Sequence, residues 1–338
     1  MAGTPAAQAA ELAAWVRGLE HAGPVRELSL PPRSRASEVL RRLAVPLNDA
    51  AEILEGWPSE HWPAELRWLL ERVVAVVRAD IGGTDWLEAG PPLPGQRGLA
   101  WKHFYVYAYL ALLDGALEYH RQHGVAEAIS WATFADLGRR LSIDWQADLA
   151  GRLTTLDWLS LHVRGAIYEL GRLQFQRGHS RLEGLDGHLP RRGDLALALH
   201  IPESGPLTPQ RCNEALRMAS RFFPLHFPDE PYRVVTCDSW LLDPQLAQYL
   251  PPESNIIRFQ RRFQLLPGSG DGNESVLRFV FHTLTTPLGD LPQRTTLERA
   301  VVSHLQAGRH WHTRAGWLAL DTSRPHSAKR SDRPCTRG

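Results

Sequence analysis

Side chains that could move a proton or attack a carbonyl stand where two apolar runs end. His200 closes the run LALALH, and Cys237 closes the run YRVVTC. A histidine changes its charge near neutral pH, which makes His200 our first candidate for a general base, with Glu169 on an earlier strand as the reserve. Cys237 and His200 could instead converge at one sheet edge as nucleophile and base, so a cysteine mechanism stays open.

The segment HIPESGPLTPQRC, which begins at His200, has features of an anion-binding loop. Thr208 is a suitable N-cap and Pro209 suits the first helical position, so amides near Arg211 are expected to point outward. Gly205 lets the backbone approach a ligand closely. A plain strand-to-helix connection would have the same pattern, and both interpretations stay open. The candidate cofactor-binding residues are Ser204, Gly205, Pro206, Leu207, Thr208 and Arg211.

Composition bounds the class of protein. The chain has 338 residues, of which 43% are hydrophobic and 22% charged, which predicts a folded protein with room for two cores. No basic run is interleaved with aromatics, so nucleic acid is not an expected partner. No segment approaches the about 20 apolar residues of a membrane span and the start lacks a signal sequence, so no membrane partner and a cytoplasmic location are expected. The three cysteines show no C-x-x-C spacing and no metal site is expected, because His310 and His312 lack a third ligand.

The periodicity of apolar residues changes near the middle of the chain. A helical period over residues 1–150 predicts an all-helical N-terminal domain. Strand and helix patterns then alternate over 151–320, which predicts an α/β or α+β sheet domain, and the polar tail 321–338 is expected to be disordered. In this interpretation AIYELGRLQFQ is one strand, and 254–266 and 275–283 are two paired strands. Candidate substrate-binding residues are Trp101, Tyr105 and Tyr109 on the longest apolar helix, with Ser239 and Trp240 after a strand end.

Three runs resemble the GNAT-like C-terminal domain of a bacterial acyltransferase family whose N-terminal domain is helical. They are LALHIPESGPLTPQRCNEAL, YRVVTCDSWLLDPQLAQYLPPESNIIRFQRRFQLL and RTTLERAVVSHLQAGRHWHTRAGWLAL. The resemblance covers residues 1–320 and is more specific over 160–320. It implies that the loop after His200 binds the pyrophosphate of CoA, and that Tyr249, on a short helix, protonates the departing thiolate.

The resemblance implies an N-acyltransferase with acyl-CoA as co-substrate and no permanently bound cofactor. The acyl group would pass directly to an amine on a small molecule or peptide, and an acyl-carrier protein is the alternative donor. Two other functions stay open. One is a non-catalytic GNAT-like module for ligand binding or interaction, because the loop lacks the second glycine of the usual pattern. The other is a transferase or hydrolase that depends on Cys237.

Overall fold

The computed structural model describes residues 5–23, 28–91, 93, 98–146, 155–182 and 190–321. Apart from residue 321, the tail expected to be disordered lies outside these ranges. Within them, no helix is long and apolar enough to cross a lipid bilayer.

The first half of the described chain is helical and is built around one buried helix. Its helix α6 is apolar on nearly all sides, and its residues from Phe104 to Leu113 are all buried, which is typical of a helix surrounded by others. Helices α4, α7 and α9 pack against it. The helices are α1 (Pro5–Glu20), α2 (Arg33–Arg42), α3 (Leu47–Glu55), α4 (Ala64–Ala79), α5 (Leu99–Lys102), α6 (Phe104–Gln122), α7 (Glu127–Phe134), α8 (Asp136–Gln146) and α9 (Asp157–Val163).

The second half is a mixed sheet with helices. Its strands run in the order β1-β2-β3-β4-β7-β5, and β6 also pairs with β7. The pairing of β3 with β4 is parallel and the other pairings are antiparallel. The α/β (α+β) fold class expected from the sequence is confirmed. The elements are β1 (Ile167–Leu170), β2 (Leu173–Gln176), β3 (Leu197–His200), α10 (Pro209–His226), β4 (Val234–Ser239), α11 (Asn255–Gln260), β5 (Gln264–Leu265), β6 (Gly270–Asp271), α12 (Asn273–Phe281), α13 (Thr296–Gln306) and β7 (His312–Ala319).

The two faces of this sheet differ in polarity because successive side chains of a strand point to opposite faces. Leu197 and Leu199 of β3 and Val235 and Cys237 of β4 belong to one core, which they share with α10. The opposite face carries the polar side chains of His200, Thr236 and Asp238 and faces the helical half, where the ring centroids of Trp158 and His200 lie 4.8 Å apart. One face therefore stabilises the domain, and the other is available for chemistry.

Two strand predictions were wrong in detail. The run AIYELGRLQFQ is a hairpin, β1 and β2, which turns at Gly171 with φ +70°. The segments 254–266 and 275–283 do not pair with each other as strands: the first forms α11 and the two-residue strand β5, which pairs with β7, and most of the second lies in α12. The hydroxyl of Ser254 caps α11 by accepting from the amide of Ile257, so a local capping signal outweighed the β-branched residues that favoured a strand.

Candidate active site

A cleft of about 1110 Å³ opens on the polar face of the sheet. The parallel pairing of β3 with β4 is recorded for Leu197↔Val235 and Ala198↔Thr236, and the cleft lies just beyond these pairs. Its walls come from both halves of the chain, from the loop after β3, and from α11, α12 and α13. This position suits a ligand, because small-molecule sites commonly form between domains and at the carboxyl ends of parallel strands.

His200 lies in this cleft at the end of β3, half-buried. Its Nε2 lies 2.9 Å from Oε1 of Gln176. An amide oxygen only accepts, so the neutral ring donates from Nε2 and keeps its lone pair on Nδ1. Burial, reinforced by nearby His162, lowers the pKa of His200 to about 4. The imidazole is therefore neutral at pH 7 and able to accept a proton.

A row of polar side chains crosses the sheet through His200. Glu169 pairs with Gln174, and Gln174 pairs with His200, in the registers of β1, β2 and β3. The carboxylate of Glu169 is engaged by Arg139 and by Gln174, and burial raises its pKa against the opposing effect of Arg139. Glu169 is therefore in the same row as His200, but it does not line the cleft and its carboxylate already has partners.

Asp136, a buried carboxylate of the helical half, holds this row in place through hydrogen bonds. Asp136 accepts hydrogen bonds from Nε of Arg139 at 2.9 Å, Nε2 of Gln174 at 3.0 Å and Nε1 of Trp158 at 2.8 Å. Burial alone would raise the pKa of Asp136, but His162, Arg139 and the hydrogen bond from Trp158 together lower it. The fixed indole of Trp158 then packs edge-on against the ring of His200 at 4.8 Å. The helical half therefore orients the candidate base.

The loop after β3 forms another wall, through Gly205, Pro206 and Leu207. Gly205 has φ +99°, and a guanidinium nitrogen of Arg211 lies 3.5 Å from the position that a Cβ there would occupy. In the described part of the chain, no recorded hydrogen bond uses the amide of Gly205 or Leu207. Two amides and a guanidinium at the start of α10 form a suitable environment for an anion.

Two details of this loop differ from the sequence prediction. The amide of Arg211 does not point outward, because it donates to the hydroxyl of Thr208 at 3.4 Å, which caps α10. The amide of Ser204 is also unavailable, because it donates to the carbonyl of Pro202 at 2.9 Å. The donors left for a ligand are thus fewer than the pattern suggested.

The structure does not bring Tyr249 to the cleft lining. Its hydroxyl contacts Nδ1 of His304 at 3.0 Å and the guanidinium of Arg309, and its ring lies against Trp311. Tyr249 is therefore separated from His200, and the structure provides no contact through which the two would act together.

Cys237 borders the cleft, but its side chain is 3% exposed and packs in the core shared with α10. His200 stands at the alternate position of the neighbouring strand, so the two side chains leave opposite faces of the sheet. Burial, reinforced by Asp238, raises the pKa of the thiol well above its ordinary value. Contrary to the expectation, Cys237 and His200 therefore do not converge, because the thiol is protonated and faces away from the imidazole.

The aromatic residues expected to line an acceptor pocket lie elsewhere. Tyr105 and Tyr109 are 1% and 0% exposed in the helical core, and their hydroxyls donate to the carbonyls of Pro91 and Phe134. Trp101 is buried and borders a smaller cavity of about 510 Å³ within the helical half. The structure therefore places these three residues in the helical half rather than in an acceptor pocket. The two tyrosine hydroxyls have carbonyl partners because a buried hydroxyl needs one.

Ser239 and Trp240 do line the cleft. The Ser239 hydroxyl accepts from the amide of Leu241 at 3.1 Å and thereby caps the turn that follows β4. Trp240 begins an apolar section of the wall. The other apolar members of that section are Leu241, Leu250, Ile256, Phe279, Val280 and Leu297.

Sequence reasoning missed the contributions of the helical half, namely Asp136, Arg139 and Trp158. The spacing of Asp136 and Arg139 is that of an ordinary helical ion pair, and no local signal marks them as neighbours of β3. Arg172 was also missed. It is 8% exposed and donates to the carbonyls of Gly205 and Pro202, which fixes the loop. A metal site was not expected, and among the described residues no group of three or more His, Cys, Asp or Glu side chains could hold a metal ion.

Comparisons with known proteins place the chain in a family. The sequence model of an N-acyltransferase N-terminal domain matches residues 34–165, and that of a GNAT-like C-terminal domain matches residues 167–318. A comparison with curated protein sequences finds no match.

Solved structures give a longer match. An acyltransferase in complex with decanoyl-CoA and teicoplanin is 39% identical, with a TM-score of 0.84, over 91% of this chain and 95% of that chain. The values are the same for an acyltransferase in complex with CoA and 10C-teicoplanin. An acyltransferase in complex with decanoyl-CoA is 38% identical, with a TM-score of 0.85, over 93% of this chain and 99% of that chain.

The fold is that of a two-part acyltransferase, with a helical half set over a GNAT-like sheet. The chain belongs to the acyltransferase family that joins an N-acyltransferase N-terminal domain to a GNAT-like C-terminal domain. The resemblance drawn from the sequence and the acyltransferase function it implied are confirmed, and the non-catalytic alternative is not favoured.

Proposed function

We propose that this acyltransferase moves a medium-length acyl group from acyl-CoA to a primary amine of a glycopeptide. The observation that carries the proposal is that His200, the loop Gly205–Leu207 and the apolar wall beginning at Trp240 open into one cleft. A base, an anion site and an apolar surface are the three features that this reaction needs. The acyltransferase structures to which the chain is 37–39% identical are complexes with decanoyl-CoA, octanoyl-CoA or CoA, and two of these complexes also hold teicoplanin or 10C-teicoplanin.

In the proposed arrangement each wall holds one part of the substrates. The pyrophosphate lies against the amides of Gly205 and Leu207 and the guanidinium of Arg211, where the start of α10 favours negative charge. The acyl chain lies along the apolar section of the wall. The thioester then lies near the ends of β3 and β4, within reach of His200.

Acyl transfer needs no covalent enzyme intermediate in this arrangement. The amine nitrogen attacks the thioester carbonyl carbon, and Nδ1 of His200 takes a proton from that nitrogen. The carbon–sulfur bond breaks, an amide forms, and the imidazolium returns the proton to the CoA sulfur. Because the pKa of His200 is lowered to about 4, its ring is neutral above about pH 5 and the reaction is not limited by its protonation at neutral pH.

The test is decanoyl transfer by purified protein and by two His200 variants. The wild type should release CoA thiol and yield the N-decanoyl glycopeptide, detected by mass spectrometry. His200→Ala and His200→Gln should lower kcat by roughly 100-fold or more, the usual contribution of a general base, while the Kd for decanoyl-CoA changes less than twofold. A wild type that binds decanoyl-CoA and makes no amide would refute the proposal. A His200→Gln enzyme with full kcat would refute the role of the histidine.

A further inference from the structure

The carboxylates that line the cleft differ in whether they already have a hydrogen-bond or ion-pair partner. They are Asp136, Glu203, Asp238 and Glu298. Asp136 accepts from Arg139 at 2.9 Å, and Glu203 pairs with His282 at 3.1 Å. Glu298 closes a capping box at the start of α13. Each of these three has a structural partner that accounts for its charge.

Asp238 is the exception among them. No hydrogen bond or ion pair of its carboxylate is recorded within the described residues, and it is exposed to the cleft. Partial burial by the surrounding walls raises its pKa. A carboxylate that is partly desolvated and has no partner is well placed to receive a cation, because a cation restores the interactions it lost with water.

Its place on the sheet puts it on the same face as the candidate base. Ala198 pairs with Thr236 in the parallel ladder, and two residues further along each strand stand His200 and Asp238. A step of two residues returns to the same face of a strand, so both side chains leave the polar face. The row that begins at Glu169 and passes through Gln174 and His200 therefore ends at Asp238.

The proposed reaction requires a group that can receive a cation. A primary alkyl amine in water at pH 7 is an ammonium ion, since its pKa resembles the value of about 10.4 for lysine. The nitrogen must lose one proton before it can attack and a second when the amide forms. A single neutral imidazole accommodates one of these protons at a time, so the first needs another route.

We propose that Asp238 binds the ammonium group of the acceptor, directs it toward the thioester beside His200, and passes its first proton to solvent. This assignment rests on the proposed function. His200 then takes the second proton as the carbon–nitrogen bond forms and delivers it to the CoA sulfur. In balance, an ammonium and an acyl-CoA give an amide, CoA thiol and one proton released to water.

The experiment compares binding of a charged and an uncharged acceptor. The probes are a glycopeptide with one free primary amine and the same compound after N-acetylation, each titrated by calorimetry into the protein saturated with CoA. Wild type should bind the amine at least tenfold more tightly than its acetylated form. Asp238→Asn, which keeps the shape and removes the charge, should lose that preference. It should also lower kcat/KM for the amine at least tenfold, with the Kd for decanoyl-CoA within twofold.

A matched control is Glu203→Gln, which removes another cleft carboxylate that already pairs with His282. It should keep the preference for the amine, and Asp238→Glu should recover part of it. If wild type makes the amide while Asp238→Asn retains a tenfold preference, the role of Asp238 is refuted and the proposed function stands. If wild type makes no amide, both fail together.

Discussion

The substitution Arg172→Met should weaken both acyl-CoA binding and the fold. Arg172 stands in the turn between β1 and β2 and donates to the carbonyl of Gly205 at 2.9 Å and of Pro202 at 2.8 Å. These bonds hold the beginning and the middle of the loop proposed to bind the pyrophosphate. Methionine keeps the length and apolar stem of the side chain and removes both donors.

The magnitude follows from the two bonds and what replaces them. A hydrogen bond from a charged donor stabilises by about 1.5–3 kcal/mol, so losing both would cost roughly 3–6 kcal/mol. Two effects offset part of this loss. Gly205 is exposed, so its carbonyl can bond to water, and the variant no longer buries a guanidinium whose pKa burial already lowers. We therefore expect a net loss of about 2 kcal/mol and a fall in Tm of about 4–8 °C, or less in a chain this long.

Calorimetric titration with decanoyl-CoA tests the local effect, because a loosened loop must be ordered again on binding. The Kd should rise at least tenfold in Arg172→Met, with an intermediate value in Arg172→Lys. The control is Arg177→Met, which removes another buried guanidinium that donates to Gly165 and Glu230 away from the cleft. It should lower Tm without changing the Kd. An unchanged Kd in Arg172→Met, with Tm lowered as expected, would show that the loop is not the CoA site.

Two further outcomes follow from buried groups. Cys237→Ala should keep kcat within twofold and cost about 1 kcal/mol of stability, measured by urea unfolding, since it removes a buried sulfur atom; loss of activity in a folded variant would restore the cysteine mechanism. Burial lowers the pKa of His120 to about 3, so from pH 6.5 downward the unfolded chain binds a proton that the folded chain does not. The free energy of unfolding should then fall as the pH is lowered, and this histidine should contribute about 1.4 kcal/mol per pH unit. Urea unfolding of His120→Gln between pH 6.5 and 5 should show a smaller slope of that free energy against pH. An equal slope in the variant would contradict that contribution.

The sequence was sufficient where the signals were local. Thr208 caps the helix that its position predicted, and the apolar run that ends at His200 is a strand. It was insufficient where tertiary contacts decided the outcome. The run SVLRFVF favours a strand by its β-branched and aromatic residues, yet Val276 and Val280 stand one helical turn apart and pack in a common cluster. Propensity could not foresee that cluster, because its other members come from distant parts of the chain.

The candidate site was predictable only on its sheet side. His200 and Gly205 were identified from strand ends and turn chemistry, whereas Tyr249 matched by position on a short helix that packs away from the cleft. The prediction that Cys237 and His200 converge was wrong, and the reason becomes visible only in the register of the strands. Both residues end apolar runs, and only the pairing of Ala198 with Thr236 shows that they occupy alternate positions and therefore opposite faces.

The polar face of the sheet explains why both halves of the chain are needed. Its row of side chains from Glu169 to Asp238 would be hydrated in an isolated sheet domain, and water would weaken each interaction on which proton transfer depends. The helical half covers this row with Arg139 on Glu169 and with Trp158 on His200. It thereby shields the base partly from water, which lowers the pKa of His200, and leaves the far end of the row exposed at Asp238. In the proposed mechanism the ammonium group of the acceptor enters from this open end, where the carboxylate of Asp238 is free to bind it.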